Sequence, residues 1–322
     1  MGPVWVALAW RATAAKRVAR PSGKETGLPE SGKRTPVIVP GSNSQLLAAA
    51  LAEETGRALA TPTYDRFPDG EGLAAVPDFE GEEAVIVATT DADEAWVELL
   101  QLQDAVREAG ATDVTTVIPY MGYARQDASF GDGEPVSARA MAKAISTGTD
   151  RVRLVNPHEA TVADFFDVPV EAVDAAGVLA DPLPADLDDP LFLAPDGGAV
   201  DVAATVRDAY GTGETDYFEK HRDRETGEIE VSPSDAAVAD RDVVVVDDII
   251  ATGSTMSESV AVLTDRGAAR VLTACVHPVL AANAVTKLRA AGVDRIVASD
   301  TVERGCSVVS VAPVVADALD AA

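Results

Sequence analysis

The chain has 322 residues, 47% of them hydrophobic, and at roughly 150 residues per domain this length predicts two domains with ordinary buried cores. It carries 26 basic and 53 acidic residues, and a net charge of -27 makes nucleic acid and anionic membranes unfavourable partners. The chain has only two cysteines, which argues against a disulfide scaffold and against structural zinc. It has no apolar run of about 18 residues, which argues against a membrane span. We therefore expect a cytoplasmic protein.

The kinds of charged residue indicate a halophilic host. The chain has 32 aspartates against 21 glutamates, and only 6 of its 26 basic residues are lysines. At 1 M salt the Debye length is only about 3 Å, so the self-repulsion of such a surface is screened in concentrated salt. The alternative is an acidic protein from an ordinary host.

The first 36 residues differ in charge from the rest. They hold 7 basic and 2 acidic residues, a net charge of +5, whereas residues 37–322 carry -32. The apolar run Val4–Trp10 precedes the basic residues, which is the reverse of a secretory signal. We expect residues 1–36 to be a disordered extension that is not part of the native protein.

From Val37 onward, short apolar strands alternate with helices. The first half is predicted, in order, to contain strand Val37–Val39, a helix that opens with the capping box Ser42–Gln45 and ends at Gly56, strand Ala84–Ala88, helix Asp93–Ala109, strand Val114–Ile118, the loop Tyr120–Glu134, helix Ser137–Ile145 and strand Val152–Val155. The second half is predicted to contain strand Leu191–Ala194, helix Gly198–Tyr210, strand Val243–Val246, helix Thr255–Arg266, strand Val271–Val276, helix Ala281–Ala291, strand Arg295–Ala298 and helix Val314–Ala321.

This alternation predicts an α/β fold with parallel sheets, because continuous apolar strands are covered by helices on both faces. Ligands of such folds bind at the carboxyl ends of the strands. The loops that follow strands are therefore the places to look for chemistry.

The segment Val243–Thr255 carries the strongest functional pattern. An apolar strand leads into two adjacent carboxylates, Asp247 and Asp248, and then into a Thr-Gly-Ser-Thr turn that opens a helix. Backbone amides and hydroxyls at such a turn suit a phosphate monoester, and the carboxylates suit ribose hydroxyls or hydrated Mg²⁺. The alternative is that the two carboxylates only cap a helix.

The Asp-Asp-x-x-x-Thr-Gly-x-Thr loop resembles the phosphoribosyl-diphosphate (PRPP) loop of type I phosphoribosyltransferase folds. Four other segments, in the same order as in the family, resemble ribose-phosphate pyrophosphokinases: Arg66–Glu71, Pro119–Asp127, Asn156–Ala160 and Ala194–Gly198. The resemblance covers about residues 37–322. It implies two similar phosphoribosyltransferase-like domains, each a mainly parallel sheet flanked by helices: residues 37–172 with the C-terminal helix 306–322, and residues 173–305.

The resemblance also implies roles for individual residues. ATP would be bound by Phe67, Asp69, Glu71, Arg125, Gln126 and Asp127, the first three from a neighbouring subunit. Ribose 5-phosphate would be bound by Asp247, Asp248, Thr252, Gly253, Ser254 and Thr255. His158 and Asp196 would hold Mg²⁺, and Lys220 and Arg222 would be the catalytic pair. Each motif taken alone also has a structural interpretation, such as a polar hairpin turn at 66–71 or a Pro-Asp-Gly turn at 195–197.

The implied activity is transfer of the β,γ-diphosphoryl group of ATP to the C1 hydroxyl of ribose 5-phosphate, giving PRPP and AMP. The implied cofactor is Mg²⁺, and the implied assembly is at least a dimer with a shared ATP site. Two alternatives stay open: a nucleobase phosphoribosyltransferase that consumes PRPP, and a non-catalytic regulatory paralogue.

Overall fold

The structure is a computed structural model that describes residues 36–222, 229–233 and 236–321, with the backbone alone for 219–222 and 229–233. The extension predicted at 1–36 falls, except for its last residue, outside the described residues. The first half contains strands β1 Val37–Pro40, β2 Ala58–Leu59, β3 Thr63–Arg66, β4 Gly72–Ala75, β5 Glu83–Val87, β6 Asp113–Ile118, β7 Arg151–Val155 and β8 Val170–Val173, and helices α1 Gln45–Thr55, α2 Asp93–Glu108 and α3 Ser137–Ser146.

The second half repeats this alternation. It contains strands β9 Leu191–Ala194, β10 Glu214–Arg222, β11 Ile229–Pro233, β12 Asp242–Ile249, β13 Arg270–His277, β14 Arg295–Ser299 and β15 Ser307–Val309, and helices α4 Val200–Tyr210, α5 Ser254–Asp265, α6 Ala284–Ala291 and α7 Ala312–Asp320. Short 3-10 helices lie at Ala160–Phe165, Ala176–Ala180 and Gly197–Ala199.

The two main sheets share one strand order. The first runs β2-β1-β5-β6-β7-β8 and the second β11-β10-β9-β12-β13-β14-β15. All pairs are parallel except β10 with β11. Without the antiparallel β11, each sheet is a six-stranded parallel sheet with the same connectivity, which confirms the predicted fold class.

A continuous apolar core joins the two sheets. One buried cluster contains Ile38 and Leu47 from the first half together with Phe192, Val244 and Val315 from the second. The C-terminal segment contacts both halves, since β15 pairs with β14 and α7 packs against α1. The domain boundaries expected from the sequence stay a prediction.

Helix α1 begins differently from the prediction. Its N-cap is Ser44 rather than Ser42, and the Gln45 side chain donates to the Ser42 carbonyl at 2.8 Å. The first-turn amides of Leu46 and Leu47 instead donate to Glu303 Oε1, at 2.7 and 3.1 Å. The local capping-box prediction is wrong because the capping carboxylate comes from a residue distant in sequence.

Seven strands of the described structure had no counterpart in the prediction, namely β2, β3, β4, β8, β10, β11 and β15. The strands β2 and β3 are mostly exposed, so they lack the apolar run that marks a buried strand. In the described part of the chain, no helix combines the length and apolar character needed to span a bilayer.

Candidate active site

A polar cavity of about 370 Å³ lies at the carboxyl ends of strands from both sheets. The loop after β12 forms one wall, the Asp196–Ala199 turn after β9 another, and the loop after β7 a third. Arg125 also lines the cavity. Most of the predicted site residues meet here, although they lie far apart in the sequence: Arg125, His158, Asp196, Asp247, Asp248, Thr252, Gly253, Ser254 and Thr255.

The turn between β12 and α5 has the geometry of an anion cradle. Gly253 is the N-cap of α5, with a left-handed φ of +71°, and offers no side chain to the first-turn amides. A Cβ at this position would stand 3.3 Å from atoms of Ala284, so the turn needs glycine for both conformation and space. Thr252 and Thr255 are exposed, and Thr252 Oγ1 lies 3.3 Å from Ser254 Oγ. Amides and hydroxyls are therefore available together for a phosphate.

Asp247 and Asp248 do not cap α5, which begins six residues after Asp248. Burial and the adjacent Asp248 raise the pKa of Asp247 well above its ordinary value. The two side chains thus differ in environment, because Asp248 faces His158 while Asp247 Oδ1 accepts from the Asp248 amide at 2.9 Å.

His158 and Asp248 form a hydrogen-bonded pair that bridges the two halves of the chain. His158 Nδ1 lies 2.6 Å from Asp248 Oδ2. This hydrogen bond raises the pKa of His158. Burial acts to raise the pKa of Asp248, but the hydrogen bonds from His158 and Asp247 outweigh it and leave that pKa below its ordinary value. Asp248 is therefore the anionic member of the pair and is suited to accept a hydrogen bond from His158 Nδ1–H.

His158 is supported by a turn that the sequence did not reveal. Asn156 adopts a left-handed φ of +37°, and its carbonyl accepts from the buried His277 Nε2 at 3.0 Å. The other ring nitrogen of His277 lies 3.0 Å from Thr301 Oγ1. Because His277 ends β13 in the second sheet, the second half of the chain positions a loop of the first.

The ATP residues predicted from the sequence are not all gathered at this cavity. Phe67, Asp69 and Glu71 lie in the turn of the β3–β4 hairpin, where the amide of Phe67 donates to the Glu71 carbonyl at 2.8 Å. Phe67 is 48% exposed. Of the three, Glu71 borders a separate cavity of about 830 Å³ beside α2.

Two other predicted ATP residues, Gln126 and Asp127, follow Arg125 but are not among the residues that line the 370 Å³ cavity. Gln126 Oε1 accepts from Ser137 Oγ at 2.5 Å, at the start of α3. Lys220 and Arg222, the predicted catalytic pair, have their backbone in β10, and their side chains lie outside the described part of the structure.

The cavity offers oxygen donors suited to Mg²⁺, since three carboxylates, Asp196, Asp247 and Asp248, line it. Asp196 Oδ1 also accepts from the amide of Gly198 at 3.0 Å, which orders the turn. Over the described ranges, no three His, Cys, Asp or Glu side chains form a ready-made metal cluster. This donor set fits an ion that keeps much of its water and binds substrate phosphates, as Mg²⁺ does.

Comparisons with known proteins agree with this arrangement. The family model for the N-terminal domain of ribose phosphate pyrophosphokinase matches residues 36–148, and the phosphoribosyl transferase domain model matches residues 175–312. A ribose-phosphate pyrophosphokinase of Halobacterium salinarum is 58% identical over 284 residues, which is 88% of this chain and 100% of the relative. One of Methanosarcina mazei is 42% identical over 285 residues, or 88% of this chain and 94% of the relative.

Among solved structures, phosphoribosylpyrophosphate synthetase from Mycobacterium smegmatis superposes with a TM-score of 0.76 at 27% identity, over 89% of this chain and 98% of that one. A superposition of this extent includes both sheets. The chain belongs to the ribose-phosphate pyrophosphokinase family.

Proposed function

We propose that this enzyme transfers the β,γ-diphosphoryl group of ATP to the C1 hydroxyl of ribose 5-phosphate, giving PRPP and AMP. The observation that carries the proposal is the single cavity in which the Thr252–Thr255 cradle faces Asp247, Asp248, His158 and Arg125. A sugar phosphate and a nucleotide polyphosphate both find suitable groups there.

The ribose 5-phosphate is held at the turn between β12 and α5. The amides and hydroxyls of Thr252, Gly253, Ser254 and Thr255 bind the 5-phosphate. Asp247 and Asp248 accept hydrogen bonds from ribose hydroxyls. This anchoring places the C1 hydroxyl in the cavity next to His158 and Arg125.

In the reaction the C1 oxygen attacks the β-phosphorus of ATP and releases its proton to solvent water. At the same time the bond between the β-phosphorus and the oxygen that bridges it to the α-phosphorus breaks. AMP leaves with that oxygen. Such a step depends mostly on positioning and electrostatic stabilisation. Arg125 contacts the polyphosphate, and Lys220 and Arg222 stabilise charge that develops in the transition state. Asp196 and His158 would hold Mg²⁺, which would supply further neutralisation of the phosphate charge.

The adenine is held by Phe67, Asp69 and Glu71 of a neighbouring subunit. The support for this is their position on an exposed hairpin turn rather than at the chain's own cavity. An aromatic face for stacking and carboxylates for the exocyclic amine suit an adenine. The working enzyme is therefore at least a dimer, and we place it in the cytoplasm of a halophilic host.

The test is an assay of AMP and PRPP release with ATP, Mg²⁺ and ribose 5-phosphate in molar KCl. Asp248→Asn should abolish turnover, because it removes the negative charge that faces His158 and the proposed ribose hydroxyls. Asp208→Asn is the matched control, since Asp208 lies on α4 and pairs with Arg207 at the surface. Turnover of PRPP with a nucleobase but not with ATP would indicate a phosphoribosyltransferase. Absence of either reaction would indicate a regulatory paralogue, and both results contradict the proposal.

A further inference from the structure

Lys287 lies directly behind the phosphate cradle. Its Nζ donates to Ser254 Oγ at 2.9 Å and lies 3.5 Å from the Thr252 carbonyl oxygen. The residue is in α6, about 30 positions after the cradle, and no sequence motif indicated it. Its side chain is half-buried.

The fold fixes α6 against the cradle. The amide of Ala281 donates to the Ala251 carbonyl and that of Leu280 to the Ile250 carbonyl, both at 2.9 Å. The start of α6 at Ala284 packs against Gly253 so closely that a Cβ on this glycine would be crowded. Lys287 follows one turn later on the same short helix. The backbone contacts of α6 therefore help to hold Lys287 behind Ser254, so its position does not depend on its flexible side chain alone.

Among the residues whose side chains the structure describes, no acid neutralises the charge of Lys287. In the part of the chain that the structure describes, its Nζ contacts a hydroxyl and a carbonyl, and no carboxylate lies within ion-pair distance. Residues 37–322 carry a net charge of -32 and contain only three lysines. An unpaired ammonium in so acidic a chain, next to neutral phosphate-binding groups, is suited to an anionic ligand.

We propose that Lys287 is a positioning residue for the 5-phosphate of ribose 5-phosphate, which deepens the proposed function and rests on it. Because the Ser254 hydroxyl oxygen accepts from the ammonium, its own proton is left to donate to a phosphate oxygen. The positive charge lies one side chain behind that oxygen and stabilises the dianion. The other groups of the cradle, amides and hydroxyls, carry no net charge.

The test separates substrate affinity from turnover in molar KCl. Lys287→Met should raise KM for ribose 5-phosphate about 10- to 100-fold, the loss expected for a charge-assisted hydrogen bond. The kcat and the KM for ATP should stay within about twofold, because the 5-phosphate is bound alike in the ground and transition states. Lys287→Arg should restore most of the affinity. Lys143→Met, on the exposed face of α3, is the matched control and should leave all three constants unchanged.

A double-mutant cycle with Ser254→Ala tests the route through the hydroxyl. If Lys287 acts through Ser254, Lys287→Met should cost much less in the Ser254→Ala background than in the wild type. Lys287→Gln keeps a hydrogen-bond donor without the charge. It should also raise KM for ribose 5-phosphate, and it carries the test if Lys287→Met does not fold.

The outcomes distinguish this inference from the proposed function. A wild-type enzyme that makes PRPP, together with folded Lys287→Met or Lys287→Gln variants whose KM for ribose 5-phosphate lies within twofold of wild type, would overturn the role of Lys287 alone. A parallel fall of kcat and rise of both KM values would indicate a merely structural role and also overturn it. A wild-type enzyme without PRPP synthesis would instead overturn the proposed function.

Discussion

At the scale of single residues, the backbone conformation of Gly253 shapes the cradle that we propose for the 5-phosphate. Its φ of +71° disfavours any other residue, and a Cβ only 3.3 Å from Ala284 would force a small local shift. Gly56, at the end of α1, has a similar φ of +65°, but no atom lies within 4 Å of the place a Cβ would take. The two glycines therefore have similar left-handed φ angles, but only Gly253 has neighbouring atoms close to the place of a Cβ.

Gly253→Ala and Gly56→Ala should therefore have different effects. Each should lower the free energy of unfolding by about 1–2 kcal/mol, the cost of a left-handed non-glycine residue. Only Gly253→Ala should also raise KM for ribose 5-phosphate, by about tenfold or more, because the cradle must shift away from Ala284. Thermal unfolding and steady-state kinetics check both effects. Equal KM values for the two variants would show that the turn tolerates displacement.

Lys220 and Arg222 are expected to act on turnover rather than on binding. Removal of either should lower kcat by about 10²–10³-fold, the usual loss for one group that stabilises transition-state charge. The KM for ribose 5-phosphate should change little. Thr252→Ala should do the opposite, because in the proposed function its hydroxyl binds the 5-phosphate in ground and transition states alike. Steady-state kinetics on the three variants is the measurement. A near-native kcat for Lys220→Ala or Arg222→Ala would contradict the catalytic role of that residue.

At the scale of elements, the β3–β4 hairpin gives the most direct test of a shared site. Phe67→Ala should disable the partner subunit's ATP site, whereas Asp248→Asn disables the site of its own chain. Each variant alone should be nearly inactive. A mixture in equal amounts, dissociated and reassembled, should regain up to about a quarter of wild-type activity, because a hybrid dimer has one site with both parts intact. No recovery in verified hybrids would mean that each chain completes its own ATP site.

The elements also show what could be predicted from the sequence. The Asp247–Thr255 loop could be predicted as a phosphate-binding loop, because its strand, carboxylates and turn are contiguous in the sequence. Lys287 and His277 reach the site from later elements, and only the folded sheet brings them to Ser254 and Asn156. The same limit explains the wrong cap of α1, since nothing near Ser44 in the sequence points to Glu303.

An ion pair between a buried aspartate and a half-exposed arginine couples elements of the second sheet. Asp242, at the start of β12, is 2% exposed and forms an ion pair with Arg270, at the start of β13. It also accepts from the amide of Asp188 at 2.7 Å. The hydrogen bond from Arg270 lowers the pKa of Asp242, although burial opposes it. The pair therefore joins the amino-terminal ends of the two central strands β12 and β13 to the segment that precedes β9.

At the scale of the whole molecule, this pair makes stability depend on pH. A carboxylate whose pKa is depressed by folding stabilises the fold above its unfolded pKa of about 3.9, and this contribution is lost as pH falls through the folded value. Asp242→Asn should destabilise the protein by about 1–3 kcal/mol near pH 7, because the half-exposed Arg270 and the Asp188 amide lose a charged acceptor while Arg270 keeps its contacts with Asp186. Denaturant unfolding of both proteins between pH 7 and pH 3 should show the difference narrowing toward acid. A constant difference across this range would contradict the role of the ionised form.

The net charge of -32 over residues 37–322 should make the fold dependent on salt. Withdrawal of salt removes the screening of repulsion between carboxylates, so the protein should lose structure and dissociate in dilute buffer. Circular dichroism and light scattering over a KCl series are the measurements. Constant ellipticity and constant mass from low to molar KCl would contradict a halophilic protein.

The identical order of the two parallel sheets has a consequence for stoichiometry. The counterpart of the β12–α5 turn in the first sheet is the turn between β5 and α2, which carries Asp91, Asp93 and Glu94. Two of these acids lie in the first turn of α2, and Asp91 pairs with Arg304. Where one half of the repeat offers amides and hydroxyls to a phosphate, the other presents carboxylates that repel it. We therefore expect a chain built from two copies of one architecture to bind one sugar phosphate per polypeptide, with its first copy contributing Arg125 and His158 to that site.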